Sequence, residues 1–195
     1  MNYGLNKVIG DNETGFQGTG DGPYRREAWE FILAGGGLFS HLDYSFTVGH
    51  EDGTLVLPAN QWGGGSPALR EQLRRLKDFV QGFDFVRMKP DDKVVRGRIV
   101  AARAAGGPKD VRVKALVEPG NQYAIYLGGG TKGVELEIDL PTGDYQAQWL
   151  HPRSGRIEPA TRFAHACGVR LFGPPVDEED LALSIRLEAA TEPAR

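Results

Sequence analysis

Lys7-Val8-Ile9-Gly10-Asp11-Asn12-Glu13-Thr14-Gly15-Phe16 is the stretch on which the fold turns. Its first four residues form an apolar run too short for a helix, and they read as a buried strand. A polar, glycine-rich loop follows from Asp11 to Gly22. Pro23 then starts a helix at a favoured first-turn position. Ala28, Trp29, Ile32 and Leu33 give that helix an apolar stripe, and Gly35-Gly36-Gly37 ends it. Leu38 to Phe46 is aromatic and β-rich and reads as a second strand. A long loop from Thr47 to Ser66 precedes a second helix opened by Pro67, whose Leu69, Leu73, Leu76, Phe79 and Val80 make one apolar face. Strand and helix repeated twice is the pattern of a parallel sheet. Two such units cannot close one, because parallel strands are buried on both faces and two helices cover too little. The first half therefore reads as the end of something larger and is expected to leave an apolar edge exposed.

Near residue 90 the pattern changes to period two. Val134, Leu136, Ile138 and Leu140 alternate with Glu135, Glu137 and Asp139. Tyr145, Ala147 and Trp149 alternate with glutamines, and Leu181, Leu183, Ile185 and Leu187 with Ala182, Ser184, Arg186 and Glu188. Val111 to Glu118 and Gln122 to Leu127 behave similarly, and Val94 to Val100 more weakly. Half-buried antiparallel strands at this spacing, about six in number, suggest a small β-sandwich. The expected organisation is α/β over residues 1–90 and all-β over residues 91–195, with no internal repeat of solenoid period.

Composition narrows the function. The chain has 195 residues, 40% hydrophobic and 25% charged, with a net charge of −3. That suits a globular chain with a real core, not a disordered one. The acidity argues against nucleic-acid binding, which needs a basic face. Arg70, Arg74, Arg75 and Lys77 are interrupted by Glu71 and Asp78 and read as a solvated helix face. A single cysteine excludes an internal disulfide, and Cys167 reads as a lone buried thiol. No apolar run approaches the roughly 18 residues of a membrane span. Met1 to Asn6 lacks the regions of a signal peptide, so the chain as written reads as cytoplasmic or exported without a visible signal. The 27 glycines, about twice the usual roughly 7%, predict many turns.

Few motifs carry chemistry. Gly18-Thr19-Gly20-Asp21-Gly22 is not a dinucleotide fingerprint, and its Asp would repel a phosphate. Gly128 to Gly133 lacks the order of a P-loop, and both runs read as turns. His50-Glu51-Asp52 resembles half a metal motif, but Asp52-Gly53 is the stronger, turn-forming signal. No metal site and no cofactor is expected. Glu13 stands out because ligands of parallel α/β sheets bind beyond the carboxyl ends of the strands. A glutamate there can act as nucleophile, general base or metal ligand; alternatively it caps the loop or pairs with Arg25 or Arg26. By the same rule His41, Asp43, Tyr44 and Phe46 would line the same mouth, where aromatic faces beside carboxylates suit sugar rings. Their structural reading is that Tyr44 and Phe46 are core and Asp43 a turn acceptor. Trp29 reads as core; Trp62, in a glycine-rich loop, is a candidate for binding.

Two stretches resemble a bacterial family. Asn12-Glu13, then Tyr24-Arg25-Arg26-Glu27-Ala28-Trp29 and Leu33-Ala34-Gly35-Gly36, look like the seventh βα unit of its (β/α)8 glycoside-hydrolase-like barrel and the approach to strand eight. Tyr123 to Leu127, Leu140-Pro141-Thr142-Gly143-Asp144-Tyr145 and Trp149-Leu150-His151-Pro152-Arg153-Ser154-Gly155 look like the β-sandwich that follows it, a domain labelled as the collagen-binding domain of a collagenase. His151 departs from the Asp expected before that proline. The resemblance implies an incomplete barrel, its last two βα units, followed by the sandwich. It implies that Glu13 is the nucleophilic carboxylate at the end of strand seven, with Asn12, His41, Asp43, Tyr44 and Trp62 toward a carbohydrate substrate. Its acid/base partner belongs to strand four, which this chain lacks. Hydrolysis by this chain alone is therefore not expected, and the rest of the barrel or a partner chain would be needed. The alternatives are a non-catalytic sandwich that binds a polysaccharide or other polymer, and a sandwich that only buttresses a barrel.

Overall fold

The computed structural model describes residues 3–96 and 111–188. The weak alternation ending at Val100 lies partly outside the described residues. The chain divides into two compact units. The first runs up to Phe83 and includes Pro152–Gly155; the second comprises Asp84–His151 and the chain from Arg156 onward.

In the first unit, β1 (Gly10–Thr14) and β2 (Leu38–His41) pair in parallel through α1 (Asp21–Leu33), and α2 (Pro67–Gln81) follows. The first strand is not the apolar run expected. Val8 is 83% exposed and Ile9 only partly buried. Pairing instead begins at Gly10↔Leu38 and ends at Thr14↔His41, with a register shift between Asp11 and Thr14. Glu13 therefore lies within β1, not after it. The second strand stops at His41, because Asp43 turns the chain: its Oδ1 accepts from Ser45 N at 3.0 Å and Ser45 Oγ at 2.5 Å.

Helix α1 begins two residues before Pro23, which still falls among the first-turn positions whose N–H groups have no intrahelical partner. It buries Tyr24, Arg25, Ala28, Trp29 and Leu33, and Gly35 at φ +91° follows its end. Helix α2 has Pro67 at its first position and Ser66 as N-cap, with Ser66 Oγ accepting from Leu69 N at 2.9 Å and donating to Asp21 Oδ1 at 2.9 Å. The two helices meet through Trp29 on Phe79, centroids 5.1 Å apart, and through Arg25 Nη1 donating to Gln72 Oε1 at 2.7 Å. Because the Ser66 hydroxyl ties the cap of one helix to the first turn of the other, Ser66→Ala is expected to cost about 1–2 kcal/mol in denaturant unfolding. A loss below a few tenths would show that the cap is dispensable.

In the second unit, β3 (Lys89–Pro90), β4 (Arg112–Glu118), β5 (Gln122–Gly128), β7 (Gly143–Leu150), β8 (Thr161–His165) and β10 (Asp180–Leu187) form one six-stranded sheet. Its order is β3-β4-β5-β10-β7-β8. A two-stranded sheet joins β6 (Leu136–Leu140) to β9 (Gly168–Phe172), antiparallel. One apolar cluster holds residues of both sheets: Ala115, Tyr123, Ile125, Leu183 and Ile185 from the larger, Leu136, Ile138, Leu140 and Phe172 from the smaller. Trp149 packs against it, partly buried. The central strand β5 is buried along its whole length, on both faces. Strands β8 and β9 were not expected from sequence. Each pairs on one side only and is largely exposed, so its alternation is weak. Cys167, in the turn between them, is exposed, which corrects the buried thiol. A chain reversal puts side chains outside irrespective of their polarity.

Candidate functional site

The carboxyl ends of β1 and β2 carry the residues singled out above. Asn12 and Glu13 are exposed on β1, and neither takes a hydrogen-bond or ion-pair partner among the described residues. The next residue faces the other way: Thr14 is buried, and its hydroxyl donates to the Glu27 carboxylate of α1. Gln17 Nε2 reaches the same carboxylate at 3.2 Å.

His41 is the register partner of Thr14, and its ring lies against Tyr24 with centroids 4.4 Å apart. Burial lowers the imidazole pKa, opposed by the Gly64 backbone and by the carboxylates of Asp43, Glu27 and Asp21. A histidine whose folded pKa lies below its unfolded value binds more protons when unfolded. Stability is therefore present above the unfolded pKa, near 6.5, and is lost as pH falls below it. Lowering the pH from about 7.5 to 5.5 should depress the melting temperature of the chain, and less so in His41→Gln. Parallel pH profiles for the two proteins would remove His41 as the titrating group.

Asp43 is held by three groups. Beside its two bonds from Ser45, Oδ2 accepts from Arg70 Nη1 at 2.6 Å. Burial alone would raise its pKa, but the bonds from Ser45 and Arg70 outweigh it and hold the carboxyl below its usual range. Arg70 also donates to the Gly53 carbonyl at 2.9 Å and lies over the Phe46 ring, 4.8 Å from its centroid. Arg70 thus departs from the solvated face expected of it, while Arg74 fits that face, bridging Glu71 and Asp78. Phe46 is exposed, not core.

Tyr44 is half-buried and meets Trp62 edge-on, centroids 4.9 Å apart. Trp62 in turn stacks on Phe16, centroids 5.2 Å apart and planes within 3°. Phe16 is 50% and Trp62 55% exposed. The loops that carry them are laced together by Gly18 N to Trp62 O at 2.9 Å and Gly64 N to Gly15 O at 3.2 Å. Gly63, Gly64 and Gly65 are all buried beneath this lacing. A Cβ at Gly63 would enter the Tyr44 ring, at Gly64 the Tyr24 ring, and at Gly65 the Asp43 carboxylate. The glycine run is thus a packing surface.

The sequence gives no place in the site to Phe16, Glu27 or Arg70. Phe16 carried a signal, a lone aromatic in a polar loop. Arg70 carried none, since its partner Asp43 lies 27 residues away in the chain. Among the described residues no three His, Cys, Asp or Glu side chains gather as a metal site requires. The second unit holds an open cavity of about 440 Å³, lined by Asp91, Lys93, Arg96, Tyr123, Asp139 and Cys167 among others.

This fold is one shared with glycoside hydrolases. One solved structure, described as a glycoside hydrolase, matches with a TM-score of 0.64 at 20% identity over 95% of this chain and 43% of the other. A second is a glycoside hydrolase family 5 protein from Bacteroides vulgatus ATCC 8482, with a TM-score of 0.63 at 18% identity over 92% of this chain and 41% of the other. The chain thus spans less than half the length of either neighbour, and the likeness is one of fold. No protein-family profile matches the chain, and no curated protein does.

Proposed function

We propose that this chain is the C-terminal part of a glycoside hydrolase: the last two βα units of a (β/α)8 barrel, formed by the first unit, followed by a β-sandwich formed by the second. The observation that carries the reading is Glu13, an exposed carboxylate with no partner among the described residues, on the carboxyl half of a strand paired in parallel. In a complete barrel Glu13 is the nucleophile, attacking the anomeric carbon while a second carboxylic acid protonates the leaving oxygen. That acid comes from a strand outside this chain. Asn12, Tyr44 and Trp62 line the sugar site, His41 supports it from below with both ring nitrogens buried beside Tyr24, and Asp43, bound by Ser45 and Arg70, sets the loop that presents Tyr44. Alone, the chain lacks the general acid and the remaining pocket walls, and it does not turn over glycosides. Turnover by Glu13→Gln in a protein with the complete barrel tests the reading.

A second reading, a polymer-binding module, is favoured by the open cavity of the second unit. It predicts polymer binding that is independent of every residue around β1 and β2. The collagen label attached to the resembling domain gains no support from this cavity, whose lining mixes Asp91 and Asp139 with Lys93 and Arg96 around Tyr123.

A further inference from the structure

We propose that Phe16 and Trp62 form a rigid platform on which one pyranose ring of an uncharged glycan stacks. This deepens the carbohydrate reading of the β1–β2 end and rests on it. Two large aromatic side chains each keep half of their surface in water while stacked on one another. The pair is also fixed. Trp62 is braced by Phe16 on a parallel plane and by the edge relation with Tyr44, and its carbonyl accepts from Gly18 N. Phe16 follows Gly15, whose carbonyl accepts from Gly64 N, so both loops hold their rings from behind. Side chains ordered before binding lose little entropy in it, which is the property of a recognition surface and not of a mobile loop tip.

The surroundings select the ligand. A pyranose offers a flat C–H face to an aromatic ring and hydroxyls around its rim. Asn12, Glu13 and Gln17 are exposed within four residues of Phe16, a chain reach of at most roughly 14 Å, and supply hydrogen-bond partners for that rim. Residues 11–22 and 42–66 include Asp11, Glu13, Asp21, Asp43, Glu51 and Asp52 and not one Lys or Arg. Arg70, the cation reaching in from α2, is taken by Asp43. A field of this sign repels uronic or sulfated sugars and leaves neutral ones.

Binding needs no turnover, so the chain itself is the test material. Affinity electrophoresis would use hydroxyethylcellulose, arabinoxylan and galactomannan as neutral probes and polygalacturonate as the anionic one. The expected result is retardation by at least one neutral probe and none by polygalacturonate. Phe16→Ala and Trp62→Ala should each weaken it at least tenfold while the chain still unfolds cooperatively above the assay temperature, and Trp62→Phe should retain most of it. If the parent binds a neutral probe and both alanine variants bind equally well, the platform is overturned while carbohydrate binding stands, and the second unit becomes its location. If the parent binds no neutral probe, the platform and the carbohydrate reading of this end fail together. Retention by polygalacturonate alone overturns the selection for neutral sugars.

Discussion

Glu13→Gln, placed in a protein that carries the complete barrel, should lower glycoside turnover on the order of 10³-fold or more while leaving folding unchanged. The substitution keeps the shape of the side chain and removes only the negative charge and its nucleophilicity. Glu13 is exposed and makes no hydrogen bond or ion pair among the described residues, so its stability effect should stay within about 0.5 kcal/mol. That separation of activity from stability makes the outcome interpretable. Its neighbour Thr14 would not allow it, because the Thr14 hydroxyl is bonded to Glu27 inside the unit. A turnover within tenfold of the parent would remove Glu13 from the chemistry. The unmodified chain, assayed on glycosides with alcohol leaving groups, should show no turnover above background, since these need a general acid, worth about 10²–10⁴-fold, and none opposite Glu13 is supplied. Robust hydrolysis by the chain alone would defeat the fragment reading.

Gly65→Ala should unfold the first unit far more easily. Gly65 sits at φ +144°, which costs an L-residue about 1 kcal/mol or more. Its new Cβ would also fall on the Asp43 carboxylate. That carboxylate cannot simply swing away, since it accepts from Ser45 N, Ser45 Oγ and Arg70 Nη1 at once. Forced repacking of a filled site typically costs a further 1–3 kcal/mol. The sum is a loss of about 2–4 kcal/mol, or on the order of 10 °C in melting temperature for a unit of this size. Trp29 and Trp62 both belong to the first unit, so tryptophan fluorescence reports chiefly on it. A shift of only one or two degrees would mean that the Asp43–Arg70 pair is looser than its 2.6 Å separation indicates.

What could be read from sequence was whatever repeats. Helix α2 announced itself through Pro67 and its apolar face, and most long strands of the second unit through alternation. What could not be read was whatever depends on a distant partner. Strand β1, Gly10-Asp11-Asn12-Glu13-Thr14, has no apolar residue to mark it, and its extended form is fixed by pairing with Leu38–His41. The apolar run Val8-Ile9 beside it starts the expected strand at Lys7, three residues before the observed start at Gly10. For Asp43 and Arg70, local chemistry supplied half of the answer: the Asx turn onto Ser45 is a short-range habit of aspartate, whereas the arginine arrives from another element. Glu13 was visible as a candidate because a carboxylate near a strand end is itself local information. Phe16 stands out in the sequence only as a lone aromatic in a polar loop, and its stack with Trp62 depends on a residue 46 positions away.

The dependence of β1 on its neighbours bears on engineering. A strand with no apolar residue of its own has nothing to carry to a new host. Its conformation is on loan from β2, from Glu27 on α1, and from the glycine loop that binds Gly15. Grafting the Asn12-Glu13 pair onto another parallel sheet would transplant the reactive group without its frame. The transferable piece runs at least from Gly10 through α2, because the carboxylate, its strand partner and the glycine brace lie between Gly10 and Ser66 while α2 supplies Arg70 to Asp43 and Phe79 to Trp29.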